Sequence, residues 1–131
     1  MILMNDFKKE YHAMKPAVGK AIKQCLESGW YILGSEVATF EKEFAEYIGT
    51  KYCVGVANGM EAIQITLIAL GIGKDDEVIT VANSAVATTL AITNIGATPV
   101  FADINSYYHM DPEDAEKKIT EKTKAILPVQ R

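Results

Sequence analysis

Two cysteines, two histidines, one tryptophan and no long apolar run are what this 131-residue sequence has least of, and each scarcity removes a class of protein. Cys25 and Cys53 lie far apart without C-x-x-C spacing, so neither a disulfide framework nor a zinc knuckle is expected, and both read as small core hydrophobes. His12 and His109 are isolated from other ligand-type residues, so no metal site is expected. Basic residues number 13 against 17 acidic ones and form no stripe, which argues against DNA or RNA as a partner. The apolar opening Met1-Ile2-Leu3-Met4 is broken by Asn5 and Asp6 and followed by Lys8 and Lys9, too short for a signal peptide or a membrane span. A cytoplasmic location is the default expectation. There is no G-x-x-x-x-G-K-[ST] loop. The one G-x-G pair, Gly71-Ile72-Gly73, follows a helical stretch where a dinucleotide fingerprint would follow a strand. No Gly/Ser linker divides the chain, so residues 1–131 are expected to form one domain or a piece of one.

What is present is a folded composition, 49% hydrophobic and 23% charged. Val18, Ile22, Cys25 and Leu26 recur at helical spacing, predicting a helix over residues 15–26 with Pro16 in its first turn and Ser28-Gly29 as its stop. Val37, Phe40, Phe44 and Ile48 form a second stripe, opposite Glu36, Lys42, Glu43 and Glu46. It predicts a helix capped by Ser35 and closed by Gly49. The run Tyr52-Cys53-Val54-Gly55-Val56-Ala57 then reads as a strand, followed by an Asn58-Gly59 turn and a helix over residues 60–70. The unit recurs as a strand at 77–81 with a helix at 85–95, and as a strand at 99–102 with a helix at 111–119, where Asp111 and Pro112 supply a cap and first-turn pair. A strand at 124–129 comes last. Buried strands alternating with helices predict an α/β fold, a largely parallel sheet with helices on both faces. The last strand has no helix after it to cover it, so the sequence reads as interrupted.

In open α/β sheets ligands bind beyond the carboxyl ends of the strands, where helix N-termini offer unpaired N–H donors to a phosphate. Val56-Ala57-Asn58-Gly59-Met60-Glu61-Ala62 has that form, with Gly59 allowing close approach and the amides of Met60 and Glu61 as donors. A plain Asn-Gly turn is the alternative. Asn83 and Ser84, after the strand at 77–81, are candidate ligand contacts, and Ser84 could equally cap the next helix. Asp103 reads as a solvated strand-end carboxylate. Trp30 and Tyr31, between Gly29 and Gly34, are either packing anchors or a substrate platform.

Several segments, in this order and at this spacing, carry a resemblance. They are Ser28-Gly29-Trp30-Tyr31-Ile32-Leu33-Gly34, then Phe40-Glu41-Lys42-Glu43-Phe44-Ala45, then Val54-Gly55-Val56-Ala57-Asn58-Gly59, then Ala69-Leu70-Gly71-Ile72-Gly73 with Asp76-Glu77-Val78-Ile79. Gly96-Ala97-Thr98-Pro99-Val100-Phe101-Ala102-Asp103-Ile104 and the stretch from Ile119 to Val129 continue it. Essentially the whole chain resembles the N-terminal region of the DegT/StrS-type nucleotide-sugar aminotransferases. That resemblance implies part of the fold-type-I large domain, a homodimer with shared active sites, and pyridoxal 5'-phosphate as cofactor. It also implies transfer of an amino group, usually from glutamate, to a keto group on a nucleotide-linked sugar.

Carried over by motif, Gly59, Met60 and Glu61 match the family's phosphate-side turn, usually Gly-Thr-Asp or similar. Met60 removes the hydroxyl, leaves the backbone amides as donors, and resembles members that aminate the third sugar carbon. Ala85 stands where the family often stacks an aromatic on the cofactor ring, which places Asn83 near the ring instead. Tyr31 matches a loop brought close to the active site and is taken as a substrate contact, and Gln130 stands where a histidine is common. The family's aspartate for the pyridine nitrogen and its Schiff-base lysine come later than these segments. Lys51, Lys74 and Lys124 do not match the lysine, nor Asp103 the aspartate. The 131-residue chain by itself is therefore expected to lack transaminase activity. Two alternatives stand beside this one: a related dehydratase with histidine in the lysine's place, and a non-catalytic remnant that binds another chain through its uncovered sheet.

Overall fold

The computed structural model describes residues 4–129, so Gln130 and the opening residues 1–3 lie outside the described residues. The chain divides into two compact units, Met1–Gly55 and Val56–Arg131.

The N-terminal unit is a helical pair. Helix α1 spans Phe7–Ser28 and α2 spans Ser35–Ile48. α1 starts well before the predicted boundary because Asp6 caps it, its side chain accepting from the Lys9 N–H at 3.0 Å. Pro16 therefore sits inside the helix and not in its first turn, a position that ordinarily costs about 3 kcal/mol. Gly29, at φ 66°, ends α1 in the left-handed conformation and donates its N–H to Leu26 O. Ser35 is the first helical residue of α2, and the cap is Gly34 in extended conformation with no side-chain hydrogen bond, which corrects the expected serine cap. Gly34 is required by space: a Cβ there would stand 2.8 Å from the Trp30 carbonyl oxygen. The predicted α2 stripe is only partly sheltered within its unit. Phe40 and Phe44 stack on each other at 5.5 Å while Ala45 is the buried residue. Cys25 and Cys53 are free and half-buried, so neither is the core residue expected of it.

The run at residues 52–57 is not a strand. It is unpaired and largely exposed among the described residues, and the Gly55 N–H ties it to α2 by donating to Glu41 Oε1 at 2.7 Å. Composition made it look like a buried strand, but a strand exists only through its ladder, and no described segment pairs with this one.

The second unit carries α3 (Gly59–Ala69), β1 (Glu77–Val81), α4 (Val86–Thr93), β2 (Thr98–Ala102), α5 (Pro112–Lys117) and β3 (Thr123–Ile126). The strands form one parallel sheet in the order β2-β1-β3. β1 is central, and its alternating side chains build two cores. Val78 packs with Leu67, Ile72, Ile92 and Ala97 toward α3 and α4, and Ile79 packs with Ala102 and Ala115 toward α5. Helices thus cover both faces, as the continuous apolar strands required. Val78, Ile79 and Ile92 are fully buried, each worth about 1.5–3 kcal/mol of transfer free energy. β3 is shorter than predicted, though Leu127 still donates its N–H to Ile79 O at 2.7 Å.

Candidate functional site

α3 and α4 pack side by side, and their first turns face an open cleft of about 550 Å3 lined by Asn58, Gly59, Met60, Ile63, Ala87 and Thr88. α4 begins just after the carboxyl end of β1, so the cleft lies at the carboxyl end of the sheet, where an α/β fold ordinarily takes its ligand.

Local chemistry explains the start of α3. Asn58 is its cap, in extended conformation, and its side-chain oxygen accepts from the Glu61 N–H at 3.0 Å. Glu61 reaches back to accept the Ala57 N–H at 3.1 Å, a reciprocal arrangement close to the capping box. The Glu61 amide, expected as a ligand donor, is therefore already used, and the Glu61 carboxylate fastens the turn. Gly59 and Met60 are the first two residues of the helix, and their N–H groups have no acceptor among the described residues.

Gly59 itself has no reason in its own fold to be glycine. Its φ is not positive, and a Cβ added there would meet nothing within 4 Å. An alanine would suit a helix interior better, and the absent side chain leaves open space beside the first turn of α3.

Across the cleft, Ser84 does not cap α4. That position belongs to Ala85, which makes no side-chain cap bond. The Ser84 hydroxyl instead shares a 2.7 Å hydrogen bond with the Thr88 hydroxyl. Two hydroxyls carry two protons and one bond between them uses one, leaving a donor to spare. Thr88, only 7% exposed, lines the cleft and was missed by the sequence reading; the signal for it was the Ser84-x-x-x-Thr88 spacing across a helix start. Asn83 is half-buried after β1 without lining the cleft.

Tyr31 lies in the N-terminal unit, where its hydroxyl donates to Leu26 O at 3.1 Å while the ring stays exposed. Its neighbour Trp30 donates its ring N–H to Ile32 O at 2.7 Å. Asp103 is an exposed strand-end carboxylate that accepts the Ile104 N–H. The carboxyl that departs clearly from its ordinary value is Asp114, lowered first by its hydrogen bond from the Lys118 side chain and then by the Asp103 N–H, and it lies on α5, away from the cleft. A separate apolar groove of about 350 Å3 runs between α5 and β3 beside Met110, Ala115, Ile119 and Ile126. Among the described residues no three metal-ligating side chains cluster and no helix is long and apolar enough to cross a membrane.

The family model of the DegT/DnrJ/EryC1/StrS aminotransferases matches residues 13–131. The chain is 47% identical to a dTDP-3-amino-3,6-dideoxy-alpha-D-galactopyranose transaminase of Aneurinibacillus thermoaerophilus, over 98% of this chain and 36% of that protein. It is 43% identical to a UDP-2-acetamido-2-deoxy-3-oxo-D-glucuronate aminotransferase of Pseudomonas aeruginosa, again over 98% of this chain and 36% of that one. Among solved structures, DesV of S. venezuelae superposes with a TM-score of 0.90 at 43% identity, over 94% of this chain and 33% of that one. The ntda protein of Bacillus subtilis, solved with bound cofactor PMP, gives 0.81 at 37% identity, over 83% of this chain and 25% of that one. The chain spans about a third of the length of the curated relatives it matches. With the matching model covering nine-tenths of its residues and the same parallel sheet beneath them, this chain belongs to the DegT/DnrJ/EryC1/StrS aminotransferase family.

Proposed function

We infer that this chain supplies the cofactor-phosphate side of a pyridoxal-phosphate-dependent aminotransferase that moves an amino group from glutamate to the keto group of a nucleotide-linked sugar. The observation that carries the reading is Gly59, a glycine that its own backbone does not need, set before two unpaired N–H groups at a helix start.

The residues present fit the cofactor's phosphate. The Gly59 and Met60 N–H groups would donate to it along the α3 axis, and the spare hydroxyl proton of the Ser84–Thr88 pair would donate from the other wall of the cleft. Glu61 holds the turn and contributes no donor beyond that. Asn83, at the end of β1, would lie near the ring, and Ala85 leaves one ring face without an aromatic cover. The cofactor, when bound, supplies an electron sink for the amino-group transfer, and this part of the protein anchors and orients it. Tyr31 is carried as a substrate contact. The third sugar carbon is the proposed acceptor, because relatives are named as transaminases of 3-amino sugars or of a 3-oxo sugar and Met60 is a large apolar residue at the phosphate turn.

A second copy of the chain is the proposed partner, supported by the exposed row Trp30, Tyr31, Ile32 and Leu33. The two free cysteines support the cytoplasm as the compartment. The 131-residue chain contains neither the matching lysine nor the matching aspartate, so it is expected to give no glutamate-dependent product by mass.

Amide chemical shifts test the phosphate assignment directly. Pyridoxine 5'-phosphate, which lacks the aldehyde that would react with surface lysines, should move the Gly59 and Met60 signals while pyridoxine leaves them in place. Equal responses to both compounds, or none at these two amides, would overturn the assignment.

A further inference from the structure

The two outer strands of the sheet present different edges. In a strand the N–H and C=O of one residue point to the same side, and successive residues alternate. The Thr98 N–H donates to Asp76 O across to β1, so Thr98, Val100 and Ala102 face the sheet, and Pro99, Phe101 and Asp103 face outward. Each outward residue is chemically closed at one or both of its groups. Pro99 has no N–H to give. The Phe101 carbonyl accepts from Lys118 Nζ at 2.6 Å. The Asp103 N–H donates to Asp114 Oδ2 at 2.7 Å, and its carbonyl accepts from the Asp111 N–H at 2.9 Å. Asp114 on α5 and Lys118 at its C-terminal cap are themselves paired at 2.7 Å, so one ion pair holds both closing groups in place. On β3, Leu127 faces β1 through its N–H, which turns Ile126 and Pro128 outward, so a proline closes one outward donor here too, while among the described residues no side-chain ion pair stands against this edge.

We propose that the Lys118–Asp114 pair, together with Pro99, is an edge block that prevents a second copy of this chain from adding a strand beside β2. Open edges template pairing with other chains, and proteins blunt them with prolines and with lysines, both of which stand here against outward backbone groups. The pair also holds its groups at the end of β2 next to an exposed Phe101 side chain, a combination of free edge and apolar surface that would otherwise invite association.

The test compares the 131-residue chain with Lys118→Met, Lys118→Arg and the double variant Pro99→Thr with Lys118→Met, following association by sedimentation and thioflavin fluorescence. Leu67→Ala, which weakens the core on the other face, serves as the control for lost stability. Lys118→Met should associate several-fold faster than the parent, the double variant faster still, and Lys118→Arg close to the parent. In the associated form the Phe101 amide should gain protection from hydrogen exchange. The proposal is overturned if Lys118→Met associates no faster than Leu67→Ala at matched thermal stability. New protection confined to Lys124 and Ile126 on β3 would overturn it equally.

Discussion

Replacing Gly59 by alanine should raise stability and lower anion binding at the same time. The position is helical, its φ is not positive, and the added methyl would meet no atom within 4 Å, so nothing opposes the usual gain of about 0.4–1 kcal/mol from restricting the unfolded chain. For a unit of this size that gain corresponds to a rise in Tm of roughly 2–8 °C. The same methyl would occupy the space before the Gly59 and Met60 N–H groups, so the shift of these amides with pyridoxine 5'-phosphate should shrink severely. Thermal unfolding followed by circular dichroism and the amide titration together read both effects. A variant that is less stable than the parent would show that the glycine serves the fold. One that is more stable but binds the phosphate compound equally well would show that the glycine keeps no space for a ligand.

Asn58→Ala removes the cap on the Glu61 N–H and should cost about 1 kcal/mol in urea unfolding, with Asn58→Asp close to the parent; an unchanged midpoint would refute the cap's role. Ile92→Ala, at a fully buried position in the α3–α4 core, should cost about 2–5 kcal/mol by the same measurement. Asp114 is held below its ordinary value of 3.8 in the folded chain, so its contribution is present above that pH and is lost as pH falls through the lower folded value. Thermal scans across the acid range should therefore show Asp114→Asn with a shallower loss of stability on acidification than the parent, and parallel curves would contradict the pairing.

The elements that sequence patterning located best are those whose partners lie close by in the same unit. β1 falls at Glu77–Val81 as predicted because four of its five residues are buried on one face or the other, and α3 and α4 follow within a residue or two. The run at 52–57 has the same apolar signature, but its pairing depends on a neighbour that composition does not encode. Pro16 misled through a sound local rule, because proline prefers a first turn, and Asp6 with the following helix formers moved that first turn upstream. At the candidate site, the Asn-Gly pair marks the start of α3. The pairing of Asn58 with Glu61 was written in their three-residue spacing and decides which amide is left for a ligand. Thr88 had only its four-residue spacing from Ser84 to mark it, and its place on the cleft wall depends on the packing of two helices.

Asn58 and Glu61 tie the turn before α3 through its own side chains, so an anion bound there as proposed would find its two donors already set and have no loop to order. The cleft walls carry no lysine or arginine, and the chain as a whole bears a net charge of -4. Long-range attraction therefore contributes little to capture, and added salt should slow it little. Selection falls to the direction of a few short-range dipoles, which favours a group whose oxygens match their angles over one that merely carries more charge.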